Sequence, residues 1–195
     1  MLCSGMFYKK MAVFSAPPPR RIMLVGSSNS GKTTLSHFLK KTLQLPLYEI
    51  DDLAWQPHWQ MRTTEEVRQR VADVVSQPEW ILIGNYGNTQ DLSWPVADVV
   101  IWLDLPRFVV MRRVIWRCVH RTWTQTPVCN GNYESFQRSF LSRDSLILWV
   151  WNHYANIQER YEARMKKGGT PVIRLRTPRE VQHFQRYLKA LTSQP

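Results

Sequence analysis

An apolar run, Ile22-Met-Leu-Val25, leads directly into Gly26-Ser-Ser-Asn-Ser-Gly31-Lys32-Thr33, and a helix-forming stretch follows over 33–43. A strand that must turn through two glycines straight into a helix has few folds open to it. The glycines permit a turn whose backbone N–H groups face inward. Such a loop cradles phosphate oxygens, and this is the Walker A pattern in its required strand–loop–helix setting. Gly26, Ser27, Ser28, Asn29, Ser30 and Gly31 form the cradle, continued by Thr34. Lys32 reaches toward the β- and γ-phosphates, and the Thr33 hydroxyl is the expected Mg²⁺ ligand. The positive end of the helix adds to the attraction for anions. ATP and Mg²⁺ are therefore the expected cofactors.

Beyond the loop the chain alternates short β-like runs (22–25, 47–50, 80–83, 99–103, 172–175) with helical runs (33–43, 64–76, 106–121, 135–166, 178–192). That alternation predicts an α/β fold with a parallel sheet covered on both faces. Thr63-Thr-Glu-Glu66 and Thr177-Pro-Arg-Glu180 carry capping-box spacing, and Gly168-Gly169 closes the long helix. Residues 1–20 end in Ala16-Pro17-Pro18-Pro19-Arg20 and are expected to be a flexible leader, with one P-loop domain over 21–195. The polar stretch 122–135 reads as a lid, or as an ordered surface excursion. No apolar run approaches the roughly 20 residues of a membrane span, and the leader lacks the apolar core of a secretory signal. A cytoplasmic chain without a membrane partner is expected. Cys3, Cys118 and Cys129 have neither disulfide nor metal-ligand spacing and are expected to be free thiols. Oligomeric state is not legible.

The net charge is +11, carried mainly by arginine, which outnumbers lysine by more than two to one. Arginine suits bidentate phosphate contacts, so the balance fits a polyphosphate or a nucleic acid. Its placement is uneven: Arg107, Arg112, Arg113, Arg117 and Arg121 crowd the 106–121 helix, and no acidic residue occurs between Asp104 and Glu134. Arg113, Arg117 and Arg121 recur every four residues and share one helix face. A triphosphate, or the charge spread over a transferring phosphoryl group, would compensate them, with Arg138 and Arg143 clamping from beyond the lid. A solvated or nucleic-acid-binding basic face is the alternative. Asp51 and Asp52 follow the second strand, at the sheet end that faces the ligand crevice. Asp51 is the first choice for polarising an acceptor hydroxyl, and Asp52 for holding Mg²⁺, against an exposed capping turn. Trp55 and Trp59 either wall a planar substrate or simply pack. His58, His120 and His153 have no ligand spacing.

The segments Asp51-x-x-x-Trp55-x-Pro57-x-Trp59, Gly84-Asn-Tyr86 and Leu103-Asp-Leu-Pro106 together resemble the adenylate kinase-like P-loop proteins of the DNA topology modulation (FlaR-related) family over about 21–190. The resemblance implies a three-layer nucleoside-monophosphate-kinase fold with a lid and a five-stranded parallel sheet in the order 2-3-1-4-5. It implies an ATP-binding phosphotransferase acting on a nucleotide or small-molecule acceptor, or an ATP-binding nucleic-acid-associated regulator with weak or no kinase activity. By looser likeness to adenylate and shikimate kinases, Asp51 lies near the acceptor, Arg113 and Arg117 open the lid, Arg143 lies on its far side, and Arg176 and Pro178 belong to the adenine loop. Ile83 departs from the pattern, which has an acidic residue before the Gly-Asn-Tyr, and Asp104 lies on a different strand.

Overall fold

The computed structural model of the protein describes residues 11–14, 17–124, 127–128, 132–133 and 146–192. Five strands form one parallel sheet: β1 (Arg21–Gly26), β2 (Leu47–Glu49), β3 (Trp80–Ile83), β4 (Val99–Leu103) and β7 (Val172–Leu175). A separate antiparallel pair, β5 (Pro127–Val128) and β6 (Asn132–Tyr133), lies in the expected lid. The sheet order is β2-β3-β1-β4-β7, the 2-3-1-4-5 arrangement counted over the sheet's own strands. Met23 is in register with Leu82 on one side and Val100 on the other, so β1 is central and the loop after it leaves from the middle of the sheet.

Strands β3 and β4 are buried at every position, as a sheet covered on both faces requires. Alternate side chains divide between two layers. Ile22 and Leu24 join Leu35, Leu39, Phe184 and Leu188 beneath helices α1 (Lys32–Leu43) and α7 (Pro178–Thr192). Met23 and Val25 join Val67, Val71, Trp94, Ile157 and Tyr161 beneath α3 (Thr64–Val75), α4 (Gln90–Ser93) and α6 (Leu146–Lys167). A third cluster, with Val110, Val114 and Cys118, packs α5 (Arg107–Thr124) onto α6 through Val150 and Tyr154. No described helix is long and apolar enough to cross a membrane.

Several boundaries differ from the sequence reading. Ile50 does not end a strand; it opens the short helix α2 (Ile50–Ala54), buried against the Gly84 turn. Helix α5 runs on to Thr124, and the expected 135–166 helix is described from Leu146. Part of the expected leader belongs to the core: Met11 and Phe14 are buried, and the Phe14 ring meets Phe184 edge-on at 5.5 Å. The capping box at Thr63 is complete, with Glu66 N donating to Thr63 Oγ1 at 3.2 Å and Thr63 N donating to Glu66 Oε2 at 2.8 Å. At α7 the Thr177 hydroxyl accepts Glu180 N, but the Glu180 carboxylate takes Arg176 N, one residue earlier than a full box. Cys118 is a buried thiol outside any disulfide; Cys3 and Cys129 lie outside the described residues.

Candidate functional site

The carboxyl ends of the strands open onto a cavity of about 680 Å³. Ser28, Asn29, Ser30, Gly31, Lys32, Thr33 and Thr34 line one side of it. The loop takes this path because its backbone enters the left-handed region at Gly26 (φ 146°), Asn29 (φ 60°) and Gly31 (φ 100°). At Gly26 the lack of a side chain is also steric: a Cβ there would stand 2.5 Å from the Leu103 carbonyl oxygen. Gly31 caps α1, and that helix has neither a side-chain cap nor an acidic residue in its first turn. The first-turn amides have no intrahelical acceptors, so the helix offers N–H groups and an uncompensated positive end to the cavity. The Ser30 hydroxyl is buried with no hydrogen-bond partner among the described residues. A glycine-shaped cradle, free amides and an orphaned hydroxyl fit a polyphosphate.

Lys32 lies back over the loop, its Nζ donating to Gly26 O at 2.8 Å and Ser27 O at 2.9 Å. Burial of the ammonium lowers its pKa from 10.5 to about 8, with Asp51 and Glu49 opposing the shift and Arg117 adding to it. Gly26 and Ser27 are buried beneath the loop and contribute these carbonyls rather than cavity wall. Opposite the loop stand Glu49, at the end of β2, and Asp51, in the first turn of α2. Asp51 presents much of its surface to the cleft, yet protein crowds the carboxyl and the resulting dehydration raises its pKa, against Lys32 and Arg117. The Glu49 pKa is raised by burial first, then by Asp52 and Asp51.

From α5, Arg113 and Arg117 reach the cavity, as their spacing predicts, and Arg113 NH1 donates to Ser30 O at 2.8 Å. The same guanidinium lies 3.2 Å from where a Cβ on Gly31 would be, so the second glycine makes room for it. Arg107 points elsewhere. It stacks over the Trp151 ring at 3.5 Å and donates to Trp151 O, fastening α5 to α6 instead of closing over a ligand. The Arg121 side chain, and Arg138 and Arg143 entirely, lie outside the described residues, as do positions 125–126, 129–131 and 134–135 of the expected lid.

Asp52 is exposed and does not line the cavity; partial dehydration of its carboxyl raises its pKa. Pro178 lines the far wall with Val181, Gln182 and Gln185, whereas Arg176 does not. The aromatic residue in the wall is Trp116, two-thirds exposed and stacked on His120, rather than Trp55 or Trp59. Those two meet edge-on at 5.7 Å, and Trp55 packs against the second core layer. Ile83 lines the cavity where the resemblance leads one to expect an acidic residue, and Asp104 does not replace it. The Asp104 carboxylate is buried and accepts Arg174 Nε at 2.8 Å and Gln158 Nε2 at 2.6 Å. Glu49 and Trp116 are among the residues that sequence reasoning missed, as are Val181, Gln182 and Gln185 on the far wall. Glu49 sits at the carboxyl end of a strand, the same signal that nominated Asp51; nothing local marks Trp116. Among the described residues no group of three or more His, Cys, Asp or Glu is arranged for a metal. Thr33, Glu49 and Asp51 nevertheless offer hard oxygen donors to one cavity, a set suited to Mg²⁺ beside a phosphate.

Comparison with protein-family models and with curated protein sequences gives no match. Solved structures do match. Shikimate kinase from Bacteroides thetaiotaomicron is similar with a TM-score of 0.56 at 12% identity, over 90% of this chain and 99% of that one. Shikimate kinase from Acinetobacter baumannii, in complex with shikimate, is similar with a TM-score of 0.52 at 13% identity, over 94% and 97%. Shikimate kinase from Aquifex aeolicus gives 0.52 at 12% identity, over 86% and 92%. The chain thus has a P-loop kinase-like fold, and at these identities the likeness speaks to the fold alone.

Proposed function

We propose that this protein is an ATP-dependent phosphotransferase that moves the γ-phosphate of ATP to a hydroxyl of a small acceptor. The observation that carries this reading is the convergence of the phosphate loop, Lys32, Arg113, Arg117, Glu49 and Asp51 on one cavity. Loop amides and the end of α1 hold the phosphate chain, Lys32 turns from its two carbonyls to the β- and γ-oxygens, and Pro178 belongs to the nucleotide's far wall. Arg113 and Arg117 neutralise charge on the moving group, with Arg143 their partner across the lid in this proposal. Asp51, its pKa raised by dehydration, accepts the proton of the attacking hydroxyl, and Glu49 orients the acceptor beside it. The Thr33 hydroxyl and the carboxylates of Glu49 and Asp51 would hold Mg²⁺, which would supply charge compensation for the phosphate chain. Positioning and electrostatics dominate this chemistry, so it needs no nucleophilic side chain.

A turnover screen of ATP against polyols, nucleosides and nucleotides tests the proposal. Lys32→Ala is expected to abolish transfer to whichever acceptor is used, and unchanged turnover in that variant rejects the reading. A second reading, an ATP-binding nucleic-acid-associated regulator of the DNA topology modulation kind, draws on the +11 charge and on Ile83. It predicts DNA affinity that falls steeply with salt and no transfer to any small acceptor.

A further inference from the structure

Behind the phosphate loop lies a buried polar chain that begins on α6. We infer that Tyr161, acting through Asn85, is a positioning residue for the phosphate loop: together they hold the first glycine amide and so set the affinity for a nucleoside triphosphate. The inference rests on the reading of the cavity as an ATP site.

The ladder between β1 and β3 has its last backbone bond from Gly84 N to Leu24 O. There β3 turns away, in a left-handed conformation at Gly84 (φ 154°), where a Cβ would meet Ile50 Cβ at 2.7 Å. The next donor along β1 is Gly26 N, and a side chain takes it: Asn85 Oδ1 accepts at 3.4 Å. The same oxygen accepts the Tyr161 hydroxyl at 3.0 Å, and that hydroxyl accepts Gln90 Nε2 at 3.2 Å. Both partners of Asn85 Oδ1 are donors, which fixes the orientation of the amide. Tyr161 is completely buried, and burial pushes its pKa up to about 12, so it remains a phenol. Arg160 NH2 donates to the Asn85 backbone oxygen at 3.3 Å, and Arg164 NH1 to Gln90 O at 3.2 Å. The turn after β3 is therefore bound to one face of α6. In a low-dielectric interior, donors in series polarise one another. The Gly26 amide is consequently held by a chain whose far end is a helix that follows the lid.

A second tyrosine hydroxyl on the same helix, less deeply buried than that of Tyr161, supplies a control. Tyr154 donates to Leu105 O at 2.6 Å, after β4, and has no link to Gly26. Tyr161→Phe keeps the ring packed between Trp94 (6.1 Å) and Trp102 (5.6 Å) and removes only the hydroxyl. It is expected to weaken ATP binding about three- to tenfold, the equivalent of one hydrogen bond, and to speed exchange of the Gly26 amide in the ligand-free protein. Asn85→Leu should do the same, and the double variant should lose little more than either single one. Tyr154→Phe should lower the melting temperature with no change in ATP affinity or in Gly26 exchange. If Tyr161→Phe merely lowers the melting temperature, as Tyr154→Phe does, the inference is overturned. A wild-type chain that fails to bind ATP overturns the reading of the cavity instead; Gly26 exchange in the ligand-free variants then still accepts or rejects the anchor.

Discussion

The depressed pKa of Lys32 makes ATP affinity depend on pH in a direction that separates this site from an ordinary exposed lysine. In the ligand-free protein the ammonium is dehydrated and titrates near 8, against 10.5 for an unperturbed lysine. The difference corresponds to about 3 kcal/mol of disfavoured charge. A triphosphate beside Lys32 restores that charge and moves the group back toward 10.5, so binding takes up a proton between the two values. The expected dissociation constant for ATP is nearly constant below pH 7 and rises about tenfold between pH 7 and 9, with uptake of just under one proton at pH 9. Stability of the ligand-free protein should move the opposite way. The unfolded chain binds the extra proton between about 8 and 10.5, so unfolding free energy rises with pH across that window, relative to Lys32→Met, by up to about 3 kcal/mol. Calorimetric ATP titrations in two buffers of different ionisation enthalpy measure both affinity and proton uptake. Lys32→Arg, which stays charged throughout, should bind ATP with a flat pH profile. Equal wild-type affinity at pH 7 and pH 9, with no proton uptake, would refute the reasoning, because it would mean that burial does not control this ammonium.

Two further perturbations test the surroundings. Gly26→Ala sets a methyl group against Leu103 O at 2.5 Å and Ser30 Oγ at 2.9 Å; a loss of about 2–3 kcal/mol in urea unfolding is expected, together with weakened ATP binding, and wild-type values for both would contradict the close packing of β1 and β4. Arg174→Met removes the cation from the buried Asp104, whose remaining partner is Gln158, and from Glu162; it should cost about 3 kcal/mol at neutral pH, and a cost below about 1 kcal/mol would mean that Asp104 is not held by that pair.

The parts of the fold legible in the sequence are those in which local pattern and burial demand agree. Strands β3 and β4 begin and end where their apolar runs do, because a parallel strand covered on both faces needs an unbroken run. Ile50 was misread for the same reason: a buried apolar residue at the end of such a run satisfies a strand and a helix start equally. At the site, adjacency is the limit. Asp51 and Asp52 are indistinguishable in the sequence, but in a helix successive side chains diverge by roughly 100°, so only one faces the cavity. The arginine helix divides in the same way. Its four-residue spacing places Arg113 and Arg117 together, whereas the position of Arg107 is decided by Trp151, a residue 44 positions later. The largest gap lies in what α6 does. Tyr154, Gln158 and Tyr161 lie on one face of that helix and reach the turns after β4 and β3 through bonds to Leu105, Asp104 and Asn85. No periodicity within α6 distinguishes these residues from ordinary core positions, since their partners lie 49, 54 and 76 residues away. Those bonds also explain why Asp104 is not available to the cavity: the same helix that steadies the phosphate loop through Asn85 keeps that carboxylate in a structural pair. Among the described residues, the carboxylates positioned to offset Ile83 are therefore those at the end of β2 and the start of α2. On this geometry, Glu49 and Asp51 rather than Asp104 should govern any dependence of turnover on Mg²⁺.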